Sequence, residues 1–189
     1  LMGVHDTETM MEIRKALDEV DPSIIIYGEG WTSGEAAIDP ELQATKNHTY
    51  QMDRVGAFSD DIRDGIRGNV FDAYDTGFVA GKEGMEESIK FSVVGAVEHP
   101  QVDLSNHDKS ENFWSGQPGQ SINYASCHDN LTLWDKLSIS NPDASKEDLI
   151  KMNKLSSAIV FTSQGVPFML SGEEMLRTKP SQTTAGAFD

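Results

Sequence analysis

The 189-residue chain holds one cysteine, Cys127. An intrachain disulfide and any multi-cysteine metal site are thereby excluded, and nothing marks an oxidising compartment. Basic residues are scarce: 15 Lys and Arg stand against 31 Asp and Glu, a formal net charge of −16. Such a surface repels phosphate backbones and anionic lipid, so nucleic acid and membrane surfaces are poor partners and a neutral ligand suits it better. Apolar runs of bilayer-spanning length are missing, and the opening LMGVHDTE lacks a basic stretch followed by an apolar core. Neither an anchor nor a signal peptide is expected. Repeats, heptads and low-complexity blocks are absent too.

What is present is 38% hydrophobic residues in a length suited to one domain. The spacing of Met10, Ile13, Leu17 and Val20 predicts a helix over 7–20, capped by Asp6 or Thr7 and stopped by Asp21 and Pro22. Ile24, Ile25 and Ile26 then form a β-branched run, expected as a strand buried on both faces of a parallel sheet. Residues 32–55 have poor periodicity and read as a long excursion, whereas AFSDDIRDGIRG (57–68) predicts a short strand ending at Ser59 and passing into a helix. Met85, Ile89 and Val93 predict a helix within 82–96, and 97–121 is irregular. Ile122, Tyr124 and Ser126 alternate in a further strand, and Leu131, Leu133, Trp134 and Leu137 begin the next helix. Ser145 and Asp148 make a capping pattern before a helix carrying Leu149, Met152, Leu155 and Ile159, and VPFML (166–170) is a last apolar strand. Strand, polar loop and helix thus recur about four times, which indicates a parallel α/β architecture with functional loops on one edge. The pattern alone fits part of a barrel and an open sheet equally.

Several residues at strand exits could carry chemistry. Glu29 follows a strand between Gly28 and Gly30, where the backbone can turn sharply and a carboxylate can project beyond the strand end. A partly buried carboxyl there suits a general acid; an ordinary loop ion pair is the plainer reading. His128 and Asp129 can both hydrogen-bond a hydroxyl-rich ligand from one cleft, or Asp129 could simply cap the following helix, although Asn130 or Thr132 would serve as well. Trp31 could stack on a sugar ring, whereas Trp114 and Trp134 are expected to pack. His5, Asp6, Glu29, His128 and Asp129 form a workable but weak metal-ligand set, without paired histidines, a cysteine cluster or an EF-hand loop, so no metal site is expected. Asp60, Asp61 and Arg63 read as a structural ion-pair cluster.

Taken together, YGEGW (27–31), YASCHDNLTLWDK (124–136) and GVPFMLSGEEMLRTK (165–179), with AFSDDIRDGIRG between the first two, resemble type I pullulanases, debranching enzymes of the α-amylase superfamily (glycoside hydrolase family 13). Each fragment alone is weak; three in order at strand ends are a strong signal. The resemblance covers residues 1–179 and implies a partial (β/α)8 TIM barrel, about strands 5 to 8. The tail PSQTTAGAFD (180–189) departs from the family pattern and is assigned no fold.

The resemblance implies cleavage of α-1,6-glucosidic branch linkages in pullulan, starch or glycogen by a retaining mechanism. Glu29 matches the general acid/base, Asp129 the carboxylate that stabilises the transition state and His128 its sugar-binding neighbour, with Asn130 and Trp31 also facing the glucan. The family's nucleophilic Asp would stand immediately before Leu1. Retention needs two carboxylates roughly 5 to 5.5 Å apart, so the chain by itself is expected not to hydrolyse pullulan appreciably. The missing N-terminal half of the barrel is the expected partner, covering apolar edges that half a barrel exposes. Calcium-binding loops belong to that half of the full-length parent, so no cofactor is expected in this stretch. The resemblance also implies a bacterial source and leaves the compartment open. Two alternatives stand beside this reading: a non-catalytic glucan-binding fragment, and a related hydrolase acting on α-1,4 linkages.

Overall fold

A computed structural model describes residues 1–32, 34–107 and 109–179 of the chain. The tail 180–189 lies outside the described residues. Four strands form one parallel sheet in sequence order: β1 (Ile26–Gly28), β2 (Val55–Phe58), β3 (Ser121–Asn123) and β4 (Val166–Pro167). The register pairs Tyr27 with Gly56, Phe58 with Ile122, and Ile122 with Val166. Among the described residues five α-helices accompany it: α1 (Thr7–Asp18), α2 (Asp60–Arg67), α3 (Glu86–Val93), α4 (Leu133–Ser140) and α5 (Lys146–Thr162). Parallel neighbours in sequence order, with α2 and α3 crossing from β2 to β3 and α4 and α5 from β3 to β4, are the arrangement of an arc of a (β/α)8 barrel, although among the described residues only 3-10 turns join β1 to β2.

Strand alternation sets the two faces. Ile26, Val55 and Ala57 face a core made with Met2, Met10, Met52, Phe91 and Trp114. A second core joins α2, α4 and α5 through Ile62, Ile66, Leu133, Leu137, Leu149 and Val160. On the opposite face of the sheet Tyr27, Phe58, Tyr124 and Phe168 meet edge-on, with neighbouring ring centroids 5.1 to 5.5 Å apart around Phe58.

Helix ends follow the polar signals. Asp6 rather than Thr7 caps α1, its carboxylate accepting from the Thr9 amide at 2.6 Å. Ser59 caps α2, Thr132 caps α4 and Ser145 caps α5.

Four expectations are corrected. The first strand is Ile26–Gly28, not 24–26, and is not buried on both faces: Ile25, just before it, is 61% exposed, and Tyr27, on the face turned away from the core that Ile26 joins, is 45% exposed. The inward face of α1 runs through Met10, Arg14 and Leu17, while Ile13 and Val20 are exposed. Arg14 earns its burial by donating to the Ile24 carbonyl and pairing with Asp18 at 2.5 Å. The third helix occupies only 86–93, since Gly81 and Gly84 take positive φ and keep the preceding chain in turns. Finally, pairing in β3 and β4 is shorter than the apolar patterns, covering 121–123 and 166–167. The excursion 32–55 contains two 3-10 turns, Pro40–Leu42 and Lys46–Gln51.

Candidate functional site

The C-terminal ends of β1, β2 and β3 open into a cleft of about 520 Å³. Its walls bring together Glu29, Trp31, His128, Asp129 and Asn130, all five candidate residues from two distant stretches of sequence. Phe58, Tyr124 and Phe168 supply an aromatic floor, and Asp60, Arg63, Arg67 and Lys109 line it as well.

Glu29 leaves β1 on a backbone fixed from both sides. Its carbonyl accepts from the Gly3 amide at 3.1 Å, and the Gly30 carbonyl accepts from the Lys46 amide at 2.7 Å. The flanking glycines are needed for close approach rather than for a left-handed turn, since neither has positive φ. A Cβ on Gly28 would lie 2.8 Å from the Met2 Cβ, and one on Gly30 would lie 2.6 Å from the Lys46 amide nitrogen. The Glu29 side chain is about one quarter exposed, with its carboxylate 3.9 Å from the Leu1 amino nitrogen.

Residues 127–130 turn out of β3 into the same cleft. His128 Nε2 lies 3.3 Å from Asp129 Oδ1, and the two side chains are 81% and 55% exposed. Asn130 adopts φ 58°, a left-handed conformation that Asn tolerates better than most residues. Lys179 clamps this turn, donating to the His128 carbonyl and, at 3.0 Å, to that of Asn130. Thr132, not Asp129, caps α4, with its hydroxyl accepting from the Asp135 amide at 3.2 Å. Asp129 therefore has no capping task.

The floor holds two arginines that sequence reasoning did not place in the site. Arg63 donates to the Tyr124 hydroxyl at 2.8 Å and pairs with Asp64 at 2.6 Å. Burial opposes its charge, yet the Asp64 hydrogen bond holds its pKa above the ordinary value. Arg67 is 2% exposed and donates to the Leu131 carbonyl at 2.8 Å, while its Nε has no hydrogen-bond partner among the described residues. Burial, reinforced by Arg63, pushes its pKa down to about 10. Their one available signal was the four-residue spacing of Arg63 and Arg67 along a helix beginning at a strand exit.

The expected cluster of Asp60, Asp61 and Arg63 is rearranged. Lys46 joins the two aspartates, at 2.6 Å to Asp60 and 2.9 Å to Asp61, while Arg63 turns to Asp64 and Tyr124. Burial works against the Asp60 charge, but Lys46 and Lys109 together keep its pKa below the ordinary carboxylate value. Trp114 packs at 1% exposure, and Trp134 lies against the second core, as expected. Of the metal-ligand set, Asp6 is committed to capping α1. The donors that do converge are Cys127, His128 and Asp129.

No family model matches the chain. It is 32% identical to the pullulanase of Bacillus subtilis (strain 168) over 179 residues, which are 95% of this chain and 24% of that protein. The chain matches a segment of pullulanases. Pullulanase A of Streptococcus pneumoniae is 30% identical over 98% of the chain and 14% of its own length. The crystal structure of the pullulanase from Paenibacillus barengoltzii in complex with maltohexaose and alpha-cyclodextrin superposes on the whole chain with a TM-score of 0.86 and 41% identity, covering 27% of that structure. The chain spans about a quarter or less of the length of these pullulanases. Its α/β fold is a partial pullulanase barrel.

Proposed function

We propose that the chain forms one side of the active cleft of a pullulanase-type glycoside hydrolase that cleaves α-1,6-glucosidic linkages with retention. The observation that carries the reading is the convergence of Glu29 and Asp129 from separate strand exits on one aromatic-floored cleft at the C-terminal edge of a parallel sheet. The four strands would be the fifth to eighth of the barrel. The maltohexaose and cyclodextrin complex of the Paenibacillus barengoltzii pullulanase supports an α-glucan as the ligand.

In this mechanism Glu29 protonates the glycosidic oxygen and later deprotonates the attacking water. Asp129, free of any cap, accepts hydrogen bonds from ring hydroxyls that strengthen as the oxocarbenium-like state forms, and His128 and Asn130 donate to the same sugar. Trp31 offers its indole to a pyranose face. Among the described residues the other carboxylate lining the cleft is Asp60, which is neutralised by Lys46 and Lys109. Glu29 thus needs a nucleophile from elsewhere. The Leu1 nitrogen lies 3.9 Å from the Glu29 carboxylate, so an Asp joined to Leu1 is the first candidate to test.

The test is reducing-sugar release from pullulan by the 189-residue chain, by a polypeptide extended upstream with an Asp before Leu1 and the remaining barrel, and by the extended form carrying Glu29→Gln. Activity in the extended form alone, lost in Glu29→Gln, is the expected result. Turnover by the short chain, or an extended form indifferent to Glu29, would overturn the assignment. Binding of a branched maltooligosaccharide with no turnover by any form would favour a glucan-binding module.

A further inference from the structure

We propose that Cys127, His128 and Asp129 form a binding site for a thiophilic divalent cation, zinc above all, where the chain leaves β3. The Cys127 sulfur, an imidazole nitrogen of His128 and a carboxylate oxygen of Asp129 all lie within 4.8 Å of one another. Thiolate, imidazole and carboxylate are the three donor types that zinc takes. Bonds of about 2.0 to 2.3 Å place tetrahedral donors roughly 3.3 to 3.8 Å apart, so the trio must contract by about 1 Å.

The surroundings make that contraction easy. The side chains of His128 and Asp129 are mostly exposed, and their polar atoms already stand 3.3 Å apart. The backbone that carries them is fixed by Lys179, which holds the carbonyls of His128 and Asn130. Closure therefore orders side chains rather than a loop, which keeps its entropic cost small. The cleft side remains open for a water as fourth ligand.

The sulfur decides which ion is held. An exposed imidazole and carboxylate alone discriminate poorly, whereas a thiolate selects zinc over calcium and magnesium, which prefer all-oxygen shells. Of the cations on the cleft wall, Arg63 is paired with Asp64, and Lys109 with Asp60 and Asp64, so the charges that oppose an ion are those of Arg67 and of Lys179 at the carbonyls of the same turn. Glu29 lines the same cleft, and the chain as a whole carries −16. An ion here occupies His128 and Asp129 and excludes a glucan from them; the cation site itself stands independently of the glycosidase reading, because it is measured without sugar.

The experiment is calorimetric titration of the 189-residue chain with Zn²⁺, beside Cys127→Ser and His128→Asn, with circular dichroism to verify folding of each. Co²⁺ serves as a second probe, since a sulfur-to-cobalt charge-transfer band reports thiolate coordination directly in the unaltered chain. The expected result is one zinc per chain, at least about tenfold weaker in either variant, with a charge-transfer band that Cys127→Ser abolishes. Absence of zinc binding, affinity unchanged in Cys127→Ser, or a cobalt spectrum without the band would overturn the proposal.

Discussion

Lys46 and Asp61 meet behind the cleft at 2.9 Å, with the Asp61 side chain fully buried. Asp61 also accepts from Ser110 Oγ at 2.6 Å and from Trp114 Nε1 at 2.9 Å. One carboxylate thereby ties the excursion after β1, helix α2 and the loop before β3 into a single wall. The same lysine hydrogen-bonds to Gly30 through its backbone, so the network reaches the residue beside Glu29.

Asp61→Ala strands two donors and half of the lysine's neutralising charge in a buried place. Breaking a buried pair costs about 3–5 kcal/mol, and because Asp60 still holds Lys46 the loss is expected near the lower end. Urea denaturation of the variant measures it. A loss below about 1 kcal/mol would mean that water reaches the site and replaces the carboxylate.

How much of this was readable in the sequence depended on whether the deciding partner was local. Glu29 stood out because a strand exit and two glycines mark it within five residues. The glycines' cause was not readable, since what crowds them is the Met2 side chain at Gly28 and the Lys46 backbone at Gly30. The buried face of α1 was misjudged for a related reason: periodicity counts Arg14 as polar, whereas its long stem packs and its guanidinium finds Ile24 and Asp18. The aromatic cluster comes from four separate stretches in or just after the strands, and only the sheet register brings Tyr27, Phe58, Tyr124 and Phe168 to one face. The family motifs reached the site because they fall at strand exits, where backbone geometry leaves side chains few directions.

Lys136 gives the chain a pH signature. It is 1% exposed and donates to the carbonyls of Asn69, at 3.2 Å, and Asp72. Burial, with Arg67 nearby, pushes its pKa from 10.5 down to about 8. Between those values the unfolded chain holds more protons at this group than the folded chain, so its contribution makes stability rise as pH increases from about 8 to 10.5. The denaturation midpoint of the unaltered chain, compared with Lys136→Met across that window, should diverge in favour of the unaltered chain as pH rises. Parallel curves would show that Lys136 is solvated.

Asn130 separates backbone strain from the sugar contact proposed for it. At φ 58° a β-branched side chain is strained, so Asn130→Val should cost about 1–3 kcal/mol, while Asn130→Gly should stay within about 0.5 kcal/mol of the parent. Thermal denaturation of both variants gives the stability difference. In an active extended polypeptide Asn130→Gly should nevertheless raise KM or lower kcat, because the turn survives and the amide is gone. Equal stability of Val and Gly variants would show that the turn relaxes out of the left-handed region.

Phe58 joins the sheet to the cleft. Its ring lies 5.5 Å from Tyr27, 5.1 Å from Tyr124 and 5.2 Å from Phe168, edge-on to each. Aromatic pairs contribute about 0.5–1.5 kcal/mol beyond the area they bury, so Phe58→Leu, which keeps most of the volume, should cost about 2 kcal/mol. Phe58→Ala also opens a hole among three rings and should cost about 3–5 kcal/mol. Urea denaturation of the two variants separates the geometric from the volumetric contribution. If Leu were as stable as Phe, the edge-on arrangement would be a consequence of packing bulky side chains on one sheet face rather than a source of stability.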